Sequence, residues 1–124
     1  MKLLIVDDSN IIRSRIARVT MHPKLRHALV DIVGLARNGA EAVHICRVQK
    51  PDVVTMDLTM PEMDGITCVE KLMAYDSRIN ILVVSALSDK ATAIQALKKG
   101  ARGFLHKPFS DEQLVDALIE VSRD

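Results

Sequence analysis

Residues 3–10 read "LLIVDDSN": four apolar residues run straight into two adjacent carboxylates, Asp7 and Asp8, and then into small polar residues. An apolar run this short and continuous suits a parallel strand covered on both faces. The pattern recurs in "VVTM" (53–56), which runs into Asp57, and in "ILVV" (81–84), which runs into Ser85. Two further runs, 31–36 and 103–105, bring the number of expected strands to five. Between them lie segments with helical spacing. Ile12, Ile16 and Val19 form a stripe within 11–19; Ala42, Val43, Ile45 and Cys46 form one within 40–48. Ile66, Val69, Leu72 and Met73 do so within 66–73, and Ile94 and Leu97 within 91–99. The stretch "SDEQ" (110–113) reads as a capping box, with Ser110 as cap and Gln113 three residues on, opening a helix with the stripe Leu114, Val115, Leu118 and Val121. Strand and helix thus alternate five times. That order implies right-handed crossovers and a doubly wound α/β fold, a parallel sheet with helices on both faces.

The 124 residues suit one domain, read as 1–124 with no linker and no output domain. Such a chain buries roughly two-thirds of the surface its unfolded form exposes, enough for a core without staples. With 48% hydrophobic but 2% aromatic residues, that core must be aliphatic. A formal net charge of +1 speaks against a generic nucleic-acid or membrane-surface binder. No run approaches a membrane span, and the N-terminus lacks a signal peptide's basic start and cleavage site. Cys46 and Cys68 share no metal-ligand spacing with each other or with the histidines, so reduced thiols in a cytoplasmic protein are expected.

In open parallel sheets, chemistry gathers beyond the carboxyl ends of the strands. Reading those ends alone gives Asp7 and Asp8 after the first strand, Asp57 after the third, Ser85 after the fourth and Lys107 after the fifth. Three carboxylates in one pocket cannot all stay ionised without a cation. Hard oxygen ligands with room for water suit Mg²⁺. On this reading the paired acids of the opening stretch are half of a metal site. The competing reading makes Asp7 or Asp8 the cap of the first helix.

Four motifs, "VDDS" (6–9), "MDLTMPEMDG" (56–65), "VVSAL" (83–87) and "KKGARGFLHKPF" (98–109), occur in order across the chain. With them the sequence resembles a response-regulator receiver domain of bacterial two-component signalling, of the stand-alone, chemotaxis-regulator-like kind. The resemblance implies a flavodoxin-like (βα)5 sheet ordered 2-1-3-4-5. It also implies that Asp57 accepts a phosphoryl group from a sensor histidine kinase. Asp8, Asp57 and the backbone carbonyl of Thr59 would hold Mg²⁺ directly, and Asp7 would hold a metal-bound water. Lys107 would pair with Asp57 and then with a phosphoryl oxygen, before a Pro108 that has a cis bond in the family. Ser85 would donate its hydroxyl to the phosphoryl group while Phe104, a Phe where many relatives have Tyr, moves inward. The surface of helix 4, strand 5 and helix 5, with His106 on it, would then bind a downstream effector. The protein would act as a monomer or a phosphorylation-dependent dimer, and it would be a signalling switch, with self-phosphorylation and autodephosphorylation as its only chemistry.

Rival acids are weaker acceptors. Asp52 stands at the wrong end of its strand, and Asp64 lies in the turn shaped by Pro61 and Gly65. A haloacid-dehalogenase-like phosphatase also uses Asp, Mg²⁺, a hydroxyl and Lys, but its two acids stand one residue apart after the first strand, whereas Asp7 and Asp8 are adjacent. A flavin-binding module would want phosphate-cradling Ser, Thr or Gly and aromatic rings in place of acids. A receiver-shaped scaffold that is never phosphorylated is disfavoured by the intact acid–hydroxyl–lysine set. Two departures from the family pattern stand out. "MHPKLRHALV" (21–30) lengthens the first helix-to-strand connection; its surface, with Lys24, Arg26 and His27, is either a specific partner contact or an idle insertion, and the cheapness of loop length changes favours the idle one. Leu87, two residues after Ser85, cannot position water, and with Thr59 it points to slow or moderate dephosphorylation.

Overall fold

The computed structural model describes residues 1–60 and 63–123. Its five strands are β1 (Lys2–Val6), β2 (Asp31–Ala36), β3 (Val53–Met56), β4 (Asn80–Ala86) and β5 (Gly103–Lys107). They alternate with α1 (Asn10–Val19), α2 (Gly39–Gln49), α3 (Gly65–Tyr75), α4 (Lys90–Lys98) and α5 (Asp111–Ser122). All pairings are parallel and the order is β2-β1-β3-β4-β5. The three continuous apolar runs are the three central strands, each covered on both faces and flanked on both edges.

Alternation along each central strand divides the core in two. Leu4, Val6, Val54, Met56, Ile81 and Val83 face the layer of α2, α3 and α4. Leu3, Ile5, Val53, Leu82 and Val84 face α1 and α5. The stripe of α5 is buried as its spacing predicts, and Ser110 and Gln113 form the reciprocal capping box. Cys46 and Cys68 are fully buried packing residues, and burial pushes the Cys68 thiol up to about 12.

Two expectations need correction. Ile94 does not face the core: it is 43% exposed, and Ala93 and Ala96 lie against the sheet instead. Small residues let α4 approach closely, while the larger side chain points outward. The connection 21–30 is not idle either. It contains a short 3-10 helix, Pro23–Ala28, that buries Leu25 in the α1/α5 core. His22 Nε2 lies 3.1 Å from Glu112 Oε1, and Lys24 Nζ donates to Glu112 Oε2 at 3.1 Å, tying the segment to the start of α5.

Candidate functional site

The carboxyl ends of β1 and β3 lie side by side, with Val6 opposite Met56. The next residue of each chain therefore brings Asp7 beside Asp57. Carboxylate oxygens of Asp7, Asp8 and Asp57 all lie within 4.8 Å of one another. Asp7 and Asp57 are buried at 1% and 4% exposure, while Asp8 is exposed. The cluster thus has a dry floor and an open mouth.

Local structure holds each acid in place. Neither Asp7 nor Asp8 caps α1, because Ser9 does so by accepting from the Ile12 N–H. Asp7 Oδ1 accepts the Ser9 N–H at 2.8 Å. Arg13, buried on the inner side of α1, donates from Nη1 to the Asp7 carbonyl at 2.6 Å and from Nη2 to Asn10 Oδ1 at 3.2 Å. Sequence reasoning missed Arg13, although a cation one turn before Ile16 on an apolar stripe was the available signal. Behind Asp57 the chain folds back, with the Gly65 N–H on the Leu58 carbonyl at 3.1 Å. A Cβ at Gly65 would stand 2.5 Å from Leu58 Cα and 2.8 Å from the Asp57 carbonyl, so only glycine permits this approach. Asp64 caps α3 and Asp52 accepts the Lys2 N–H at the far end of the sheet, so both rivals have structural work elsewhere. Pro61 and the side chain of Leu87, on which the loop and lifetime expectations rest, lie outside the described residues.

Lys107 reaches over from β5 and pairs with Asp57 as expected, but more closely with Asp7. Its amine donates to Asp7 Oδ2 at 2.9 Å and stands 3.7 Å from Asp57 Oδ1. The Thr59 N–H donates to the same Asp57 Oδ1 at 3.2 Å. Lys107–Pro108 is a cis peptide. Burial, and then the Asp7 charge, push the Asp57 carboxyl up to about 7 against the pull of Lys107 and the Thr59 N–H. Hard oxygens crowded enough to hold a proton near neutrality are a donor set that a divalent cation fits.

Ser85 is fully buried and its hydroxyl has no partner among the described residues. Phe104 is half-buried against the α2–α4 layer, with its ring centroid 4.6 Å from that of His106 in an edge-on contact. Another residue not foreseen in the sequence is Asp89, which accepts the Thr59 hydroxyl at 3.2 Å. A cavity of about 690 Å³ lies at the opposite end of the strands around Asp52, Arg78 and Asn80, away from these acids. No helix among the described residues is long and apolar enough to cross a membrane.

Comparison with known proteins agrees with this geometry. The chain is 40% identical over 122 residues to the chemotaxis protein CheY of Thermotoga maritima, covering 98% of both chains. It is 36% identical over 117 residues to CheY of Bacillus subtilis, covering 94% of this chain and 93% of that one. Among solved structures, the CheX-CheY-BeF3-Mg+2 complex from Borrelia burgdorferi superposes with a TM-score of 0.88 at 30% identity, over 100% of this chain and 90% of that one. The model of the response regulator receiver domain matches residues 3–119, from the first strand through most of the last helix. With its acids at the ends of β1 and β3 and relatives of the CheY type along its length, the chain belongs to the response regulator receiver domain family and is a CheY-like regulator of two-component signalling.

Proposed function

We propose that this receiver takes a phosphoryl group from the phosphohistidine of a sensor kinase onto Asp57, and that the loaded form binds a downstream protein through α4, β5 and α5. The observation that carries the reading is the convergence of three carboxylates within 4.8 Å with a lysine amine beside two of them and, on the neighbouring strand, a buried hydroxyl without a partner among the described residues. In the transfer, the P–N bond of the donor breaks, a P–O bond to an Asp57 carboxylate oxygen forms, and the released imidazole takes up a proton. Mg²⁺ held by Asp8, Asp57 and the Thr59 carbonyl, with a water on Asp7, would neutralise charge on the phosphoryl oxygens.

The chain's own residues do the rest. Asp57 is the nucleophile, and it must be deprotonated to act. Lys107 exchanges Asp7 for a phosphoryl oxygen. Ser85 gives its hydroxyl a partner at last by donating to another, and Phe104 on β5 packs into the space this opens. The phosphoryl group thereby favours one of two conformations through contacts it makes in that one alone. The Borrelia relative's complex with CheX supports action through a protein partner.

The test is intact-mass analysis after incubation with acetyl phosphate and Mg²⁺. The wild type should gain one phosphoryl group and Asp57→Asn should gain none. Equal labelling of the variant, or no labelling of the wild type, overturns the reading.

A further inference from the structure

α4 begins unlike the other four α-helices. Ser9, Asn38, Asp64 and Ser110 cap α1, α2, α3 and α5 from extended backbone, with ψ of 117°, 172°, 162° and 161°. Each accepts a hydrogen bond from the N–H three residues on. Asp89 occupies the same position before α4 and is among the residue types best suited to it. Yet its side chain makes no capping bond and its ψ is 20°. The carboxylate instead accepts the Thr59 hydroxyl at 3.2 Å, while the Thr59 N–H donates to Asp57 Oδ1 at 3.2 Å. Asp89 is thus linked through one residue to the proposed phosphoryl acceptor, while the first turn of α4 lacks a side-chain cap from it.

The two uses of this carboxylate exclude each other. Capping requires Asp89 to turn from a ψ of 20° into the 117–172° range of the other caps. That rotation swings the 3-10 turn Leu87–Asp89, which follows directly on β4 and Ser85, relative to α4. A phosphoryl group on Asp57 would add negative charge on the Thr59 side and none at the helix N-terminus, where the backbone dipole favours an anion.

We propose that Asp89 is a positioning residue acting through Thr59: it latches the acceptor loop while Asp57 is free, and it exchanges Thr59 for the first-turn N–H groups of α4 once Asp57 is loaded. The second half rests on the phosphorylation of Asp57 proposed above; the latch itself does not. Loading of the acceptor and ordering of α4 then become one event, because the same carboxylate is the partner in both states. The bond from Thr59 is a single, exposed one, so its removal should shift the latch-to-cap ratio by roughly fivefold.

Amide NMR of the whole chain, with and without Mg²⁺ and beryllofluoride, tests this. In the wild type, beryllofluoride should move the amides of Ala91 and Thr92 and slow their exchange. Thr59→Val should move the same amides in the same direction with no beryllofluoride present. Asp89→Ala should show neither movement, and Asp89→Asn, which keeps the acceptor oxygen but not the charge, should show a reduced response to beryllofluoride. The latch is overturned if Thr59→Val leaves Ala91 and Thr92 at their wild-type positions. The exchange is overturned if Asp89→Ala responds to beryllofluoride as fully as the wild type does. Failure of the wild type to respond around Asp57 would count against the phosphoryl-acceptor reading and against the exchange together, while the Thr59→Val arm, measured without any phosphate analogue, still decides the latch.

Discussion

Ser85 carries a hydroxyl at 0% exposure with no partner among the described residues, on the strand next to the one that ends at Asp57. Leaving a buried polar group unpaired costs about 1–3 kcal/mol. The unmodified protein bears that cost, and a ligand offering an acceptor oxygen would remove it. Ser85→Ala should therefore stabilise the unmodified protein by about 1 kcal/mol in urea unfolding while weakening its response to beryllofluoride. A destabilised alanine variant would mean that the hydroxyl already has a partner. Lys107 shows the same logic from the other side. Its amine rests on Asp7, 2.9 Å away, with Asp57 at 3.7 Å, so a small movement of the amine would reach a group attached to Asp57.

Among the elements, the segment between α1 and β2 illustrates how a loop becomes part of a core. Leu25, on the 3-10 helix, is 2% exposed among residues of α1 and α5. Truncating a buried leucine typically costs 2–5 kcal/mol, so Leu25→Ala should lower unfolding stability by about 3 kcal/mol. A loss within about 0.5 kcal/mol, the range of ordinary surface substitutions, would restore the idle-loop reading. The same segment reinforces α5. Lys24, by hydrogen bond and charge, holds the Glu112 carboxyl below its usual range, and that anion sits in the first turn where the helix dipole favours it.

For the whole molecule, the acid cluster links stability to pH and to divalent cations. Burial and the Asp7 charge push the Asp57 carboxyl up to about 7 in the folded protein from an ordinary value of 3.8. Between those values the folded state binds more protons than the unfolded state. Its contribution to stability is therefore complete below the lower value and is lost as pH rises through the upper one. In chelator, the protein should be less stable at pH 8 than at pH 5. A cation that binds only the folded state stabilises it by mass action, and it competes with protons for these oxygens. Millimolar Mg²⁺ should consequently raise the melting temperature more at pH 8 than at pH 5. Equal shifts at the two pH values, or none, would show that the cluster does not hold the ion.

Much of this was legible in the chain itself. The continuous runs 3–6, 53–56 and 81–84 marked the central strands, the spacing in 114–121 marked the buried face of α5, and "SDEQ" marked its start. These signals are local, set by the periods of strand and helix and by capping over three residues. The acids at the strand ends were legible for the same reason, since position within an element needs no knowledge of neighbours. Strand order came from family resemblance, because periodicity does not say which strands adjoin. What only the tertiary structure decided are the pairings that depend on that order: Lys107 with Asp7 across 100 residues, Asp89 with Thr59 across 30, and Leu25 with the α1/α5 layer. Each is a contact between groups from distant segments, and its partner is chosen by geometry once the sheet has closed.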